Sequence, residues 1–249
     1  MGRRHPGALP RLRSPHLGRN AIYDIVDGKL EYRSHYKMPA PQVDTENCVA
    51  HNGSIIPVPG RDIMVQSWYQ GGISVVEFTD SASPIEIAYF DRGPIDEEEL
   101  ILGGYWSSYW YDGKIYATEI VRGIDVFSLT PSEFLSENEI AAASLADQGR
   151  LFNPQQQFRV TWPAEPVVAK AYVDQIRRSD ALSSPVIEDL DTALALAESR
   201  IDEGANDGRL AARLESLAED LGGGTGDSVV LKRKAGLAET LRSLAARLR

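Results

Sequence analysis

Gly72-Ile73-Ser74-Val75-Val76-Glu77-Phe78 returns as Gly123-Ile124-Asp125-Val126-Phe127-Ser128-Leu129, and the reading of this pair decides the fold. Each copy is a glycine followed by a β-branched and aromatic run, the composition of a strand leaving a tight turn. The segments ahead of them match at the same spacing, with Asp62-Ile63-Met64-Val65 standing 51 positions before Gly113-Lys114-Ile115-Tyr116. A half-copy lies upstream, where Ala21-Ile22-Tyr23-Asp24-Ile25-Val26-Asp27 parallels Ser74-Val75-Val76-Glu77-Phe78-Thr79-Asp80 and leads into Leu30-Glu31-Tyr32-Arg33-Ser34-His35-Tyr36. A period of about 50 residues built from such runs is the signature of β-propeller blades.

Working outward, Asp27-Gly28 suits a tight hairpin turn between two strands over 21–36. Ser54–Val58, Ile63–Tyr69, Ile73–Phe78 and Ile85–Phe90 make one blade of four strands. Tyr105–Tyr111, Lys114–Ile120 and Ile124–Leu129 begin a second, turned at Asp112-Gly113. Between them Asp96-Glu97-Glu98-Glu99 lacks the spaced ligands of a calcium loop and is expected as a solvated helical turn.

At Thr130 the period changes. Thr130-Pro131-Ser132-Glu133 and Ser136-Glu137-Asn138-Glu139 both have the form of capping boxes and predict helical turns. Phe158–Trp162 has the composition of one more strand. From Pro163 onward, apolar residues spaced by three and four define four helices: a stripe from Val167 to Ile176, one from Ile187 to Ile201, one from Leu210 to Leu221, and one from Leu237 to Leu248. Short connections favour an antiparallel bundle. The expected organisation is a disordered basic leader over 1–20, blades over 21–130, a connector with short helices over 131–162, and an antiparallel helical bundle over 163–249. The fold class is thus mainly β: a partial propeller of about two and a half blades followed by a C-terminal α-helical bundle.

Composition narrows the function. A net charge of -10 argues against a nucleic-acid surface. No apolar run is long enough for a membrane span. The single Cys48 excludes an internal disulfide and is expected as a packed, inert thiol. The leader, with Arg3, Arg4, Arg11, Arg13 and Arg19, has no apolar centre of the kind a secretory signal needs.

Chemistry has few candidates. His51 is the histidine inside the repeat-bearing stretch, and Glu46, Cys48, Glu119, Arg122 and Asp125 can approach it where loops converge. No HExxH, CxxC or GxSxG occurs, so no metal, cofactor or activated serine is expected. Alternation puts Ile115, Ala117 and Glu119 on one face, matching Met64, Gln66 and Trp68, so a buried Glu119 needs a partner, and Arg122 is the near one. Trp68, Tyr69, Tyr105, Trp106, Tyr109, Trp110 and Tyr111 either fill space between blades or offer a platform for a sugar or other flat ligand. Gly103-Gly104 makes Tyr105 and Trp106 the best platform residues. Gly222-Gly223-Gly224-Thr225-Gly226 lacks the preceding strand and following Lys of a phosphate loop and is expected as a flexible connection.

At Glu46–Gly53, Gln70–Asp80 and Gly103–Tyr111 the chain resembles the LVIVD-repeat family of bacterial β-propellers. The repeat's pattern of strand, Asp and Pro is matched by Ile73–Phe78 running to Asp80 and Pro84, with Glu77 where the repeat usually has Asp. The resemblance covers residues 21 to 130, and some members carry a helical tail. It implies a propeller in an exported protein, periplasmic or secreted, with no assigned activity. Propellers close with four to eight blades. The expected explanation of the shortfall is that blades and signal lie upstream of Met1, and the alternative is closure by self-association through open blade edges or the helical bundle.

The resulting expectation is a non-catalytic exported binding or scaffold protein whose ligand sits among Glu46, His51, Tyr105, Trp106 and Arg122. The alternative is an enzyme, a hydrolase or metal-assisted lyase, using His51 and Glu119.

Overall fold

The computed structural model describes residues 18–149, 153, 159–223 and 227–249. The expectations for residues 1–17, for Phe158 and for Gly224-Thr225-Gly226 therefore lie outside the described residues. The described chain divides into two compact units. The first holds residues up to 56 with 63–110 and 114–128, and the second holds 57–62, 111–113 and everything from 129 onward.

The first unit is antiparallel β-structure. A hairpin, β1 (Asn20–Val26) and β2 (Lys29–Tyr36), turns at Asp27-Gly28, both left-handed with φ of 50° and 73°. That is the turn whose twist matches the strands it joins, and Asp-Gly tolerates it. A four-stranded meander follows: β3 (Gly53–Ile56), β4 (Ile63–Ser67), β5 (Ile73–Glu77) and β6 (Ile85–Phe90). The third sheet runs β7 (Tyr105–Tyr111), β8 (Lys114–Glu119), β9 (Gly123–Phe127). β3 stops at Ile56 rather than Val58, because Pro57 begins a segment that belongs to the second unit.

The sequence repeat is a repeat of register. Met64 pairs with Val76 and Gln66 with Ser74, while Ile115 pairs with Phe127 and Ala117 with Asp125. Each pair maps on the other at the offset of 51 positions between Gly72 and Gly123. The half-copy holds as well. The β1–β2 ladder shifts between Ile22 and Tyr23, and the β5–β6 ladder shifts between Val75 and Val76, the positions that the sequence match aligns. A β-bulge at the same place in two sheets marks β1–β2 as the counterpart of β5–β6.

The three sheets lie face on face. Tyr36 packs with Trp68 and Val76, its ring centroid 5.8 Å from that of Trp68, and Asn20 Nδ2 donates to Gln66 Oε1 at 3.1 Å. These contacts join the first sheet to the Met64-Gln66-Trp68 face of the second. The Ser67 and Ser108 hydroxyls meet at 2.5 Å, joining the opposite face of the second sheet to the third. Ser107 bonds Thr118 on the far side of the third sheet, so Ile115, Ala117 and Glu119 face inward, and all three are buried. Cys48 is buried in the Tyr36–Trp68 cluster.

The second unit is helical. After α1 (Glu137–Ser144), four helices follow, α2 (Pro166–Arg178), α3 (Ser184–Asp202), α4 (Gly208–Asp220) and α5 (Ser228–Arg247). They pack around one core in the cyclic order α2, α3, α4, α5, with Ala171, Leu190, Leu194, Leu214, Leu237 and Leu241 at its centre. Lys170 near the start of α2 reaches Glu198 near the end of α3, and Asp207 N–H at the start of α4 donates to Leu248 O at the end of α5. Both contacts require antiparallel neighbours. Asp207 and Asp227 cap α4 and α5, accepting from Leu210 N and from Val229 and Val230 N. Glu139 is fully buried, where it accepts Ser136 N–H at 2.8 Å, Arg61 Nη1 at 2.9 Å and Arg178 Nη2 at 2.6 Å. Removing one member of such a set costs about 3–5 kcal/mol, because the remaining buried charge is uncompensated.

Among the described residues helix at 34% exceeds strand at 25%, which corrects the mainly β class to a mixed one, three small antiparallel sheets followed by helices. Of the two capping boxes only that at Ser136 starts a helix. At Thr130 the chain closes instead as a turn, in which Ser132 N–H bonds Leu135 O and Ser132 Oγ accepts Phe134 N–H. A short hydroxyl side chain offers its own backbone this alternative to a helix. Asp96–Glu99 is a bend and not a helical turn: Asp96 Oδ1 takes the amides of Glu98 and Glu99, which also holds its carboxyl below the usual range. Near Trp162 the described residues show a single bridge, Asp147 with Thr161, and no strand.

Candidate functional site

At one end of the first unit three rings meet. The His51 ring lies 4.2 Å from that of Trp106 and 4.9 Å from that of Tyr69, and Tyr69 stands edge-on to Trp106 at 5.9 Å. Trp106 is 47% exposed, whereas Trp68 and Trp110 are fully buried. His51 and Tyr69 are half-buried. A large flat ring open to solvent beside an imidazole can stack a planar or sugar-like ring and hydrogen-bond its rim.

The backbone under these rings is tightly specified. Tyr69 and Tyr105 exchange both amide bonds, at 3.0 and 2.8 Å, linking the second sheet to the third. Tyr69 does so with φ at 51°, a left-handed conformation that a bulky residue adopts only where its surroundings impose it. Gly104 permits the approach: a Cβ there would lie 2.0 Å from the Tyr69 carbonyl carbon. His51 N–H bonds Ser67 O at 2.9 Å, and its Nδ1 meets the Trp106 carbonyl.

Glu119 braces the same loop. Its carboxylate accepts Gly104 N–H at 2.6 Å and Val121 N–H at 3.1 Å, together with the Arg122 amide. The expected Glu119–Arg122 pairing is therefore corrected: Arg122 contributes its backbone, not its guanidinium. Only Ile120, Val121 and Arg122 separate Glu119 from Gly123, so the turn folds back over the carboxylate and presents successive amides to it.

The structure brings together His51 and Trp106 of the expected ligand site and leaves the other three elsewhere. Glu46 is buried, its carboxylate closing a local turn onto Val43 N–H at 3.1 Å, and burial raises its pKa. Tyr105 is buried too, so it is a packing residue and not a platform. Its hydroxyl donates to Asp125 Oδ2 at 2.6 Å, and its ring joins Phe90 and Phe127. Arg122 is exposed on the turn after Glu119. His51 and Glu119, the pair of the enzymatic alternative, belong to separate hydrogen-bond networks.

Tyr69 is the residue that sequence reasoning weighed among the candidate platform aromatics and passed over in favour of Tyr105 and Trp106. Its signal was its place directly ahead of Gln70-Gly71-Gly72, where a turn residue carries a ring outward. A second missed group surrounds Asp125, which accepts from Tyr105 and from Arg92 Nη2 at 2.9 Å. The Tyr105 hydrogen bond, helped by Arg92, lowers the Asp125 pKa, while burial and this carboxylate raise that of Tyr105. In the second sheet Glu86 plays a like part, accepting from Tyr36 and Ser74.

A cavity of about 420 Å³ in the first unit, lined by β1 residues with Met64, Gln66 and Phe78, shares no residue with the ring cluster. Among the described residues no group of three or more His, Cys, Asp or Glu is arranged to hold a metal, and no helix is long and apolar enough to cross a membrane. Comparison of the chain with protein-family models, with curated proteins and with solved structures finds no match.

Proposed function

We propose that this chain is a non-catalytic binding or scaffold protein of β-propeller type, related to the LVIVD-repeat proteins, with His51, Tyr69 and Trp106 as its ligand platform. The propeller reading is supported by successive antiparallel sheets packed face on face, with one register repeated in two hairpins and one bulge repeated in two sheets. A place outside the cytoplasm follows from the family resemblance alone. The observation that carries the binding site is the exposed Trp106 ring held 4.2 Å from His51 over a strained, doubly bonded backbone. Strain of this kind persists where the surroundings over-determine it, and it clusters at ligand sites.

The ligand class that fits is a flat or sugar ring. Trp106 fluorescence titrated with methyl glycosides, short oligosaccharides and purine nucleosides tests the platform. A saturable change that disappears in Trp106→Ala and weakens in His51→Ala supports it. A protein whose emission responds to none of these probes, or whose response survives Trp106→Ala, lacks the platform.

A further inference from the structure

We infer that the outer face of the third sheet, β7–β9, packs on the outer face of the first sheet, β1–β2, of a second copy of this chain. The inference rests on the repeated-sheet reading above and takes its template from inside the first unit.

Both sheet-on-sheet contacts there follow one rule. The face of the second sheet that carries Val65, Ser67, Ile73 and Val75 packs on the inner face of the third sheet, through Ser67 and Ser108. The corresponding face of the first sheet, with Ile22 in the place of Val75, packs on the inner face of the second. Applied once more, the rule leaves two faces unmatched. Tyr116, Thr118, Ile124 and Val126 occupy the register positions of Val65, Ser67, Ile73 and Val75. Ile73 and Val75 are 4% and 3% exposed, yet Ile124 and Val126 are 70% and 57% exposed. At the other end Tyr23 and Ile25, the counterparts of Val76 and Phe78, stand opposite Tyr32 and Leu30 on an open face, with Ile25 77% exposed.

These open faces are the two halves of the contact already made twice within the unit. One copy cannot join its own halves, since the second sheet stands between them. A second copy supplies both. The contact joins unlike faces, and closure of two copies around a two-fold axis, through two such contacts, is the smallest assembly that leaves neither face open. An exposed apolar sheet face of this size otherwise invites indiscriminate association.

Sedimentation velocity of the full chain from nanomolar to high micromolar concentration reads the association. The wild type is expected to be a dimer, and Val126→Lys and Ile25→Lys, both at exposed positions and folded by circular dichroism, are each expected to be monomers. Mixing the two variants should restore a dimer, weaker than the wild type because it holds one contact instead of two. A wild type monomeric at every concentration overturns the inference. So does association insensitive to both substitutions, or lost only with Val126→Lys, which means that the third sheet pairs with itself. A separate control isolates the reading beneath. Ser67→Cys with Ser108→Cys, in a Cys48→Ala background, should close a disulfide within one chain. If it closes while the wild type is monomeric, the sheet packing stands and only the self-association fails; if it does not close, the sheet packing itself is wrong.

Discussion

The hairpins β4–β5 and β8–β9 share a register and a turn glycine, Gly72 or Gly123, both with positive φ, and they differ in what lies on them. The first is covered on both faces, the second on one. At matching positions the fillings also differ: Trp68 against Glu119, and Ser74 against Asp125. Trp68 packs under Tyr36, whereas Glu119 gathers three backbone amides and Asp125 gathers Tyr105 and Arg92. The same pairing scaffold is thus held by apolar packing in one sheet and by a polar brace in the next. Strand pairing is a local property of each repeat, and the chemistry of a face follows from its neighbour.

Five substitutions test this contrast, beginning with the largest expected effect. Trp68→Ala empties a fully buried site, and denaturant unfolding should show a loss of about 3–5 kcal/mol. Glu119→Ala at the matching position leaves backbone donors unpaired at a loss of roughly 1–3 kcal/mol. Because Glu119 holds Gly104, that substitution should also change the acrylamide quenching of Trp106; an unchanged quenching profile would separate the brace from the ring cluster.

The paired changes Val75→Thr and Val126→Thr are smaller and more direct. The first buries a hydroxyl and should cost about 1–3 kcal/mol, while the second should stay within about 0.5 kcal/mol at concentrations where the chain is monomeric. Equal effects would show that the two faces are not differently covered. Asp125→Asn also gives a small change, under about 1 kcal/mol, because its partner Arg92 is partly exposed. Its signature is pH dependence. The folded-state pKa of Asp125 is depressed, so its contribution is fully present above the ordinary Asp pKa of about 3.9 and is lost as pH falls through the lower folded value. The wild type should therefore lose more stability than Asp125→Asn across that acid window. A difference that stays constant with pH would mean that Asp125 acts by packing alone.

Much of the architecture was legible because it is periodic. The repeat between Gly72 and Gly123, the Asp-Gly turns and the apolar stripes of α2–α5 each follow from spacing, and α2, α3 and α4 formed within a few residues of their expected bounds, whereas α5 begins at Ser228, well ahead of the expected Leu237. What was not legible depended on competition between partners. Thr130 headed the form of a capping box, yet Ser132 within it closed a turn instead, with the Phe134 carbonyl taken by buried Arg61. Glu119 was read as the partner of a nearby cation and took nearby amides, which are fixed in place and need no long side chain to be ordered. Of the expected site, Trp106 and His51 met because Gly104 lets the second and third sheets touch at Tyr69 and Tyr105. Glu46 turned inward onto its own loop.

The sequence by itself determined the strands, their register, the turns between them and the helical faces, because alternation, helical spacing and Asp-Gly conformations act over a few neighbouring residues. Only the tertiary structure decided which faces are covered, which carboxylate braces which loop, and which aromatic rings stay in contact with water. Those outcomes depend on groups brought together from distant parts of the chain, where burial raises the energy of every polar atom left without a partner and so selects among contacts that local pattern leaves equal.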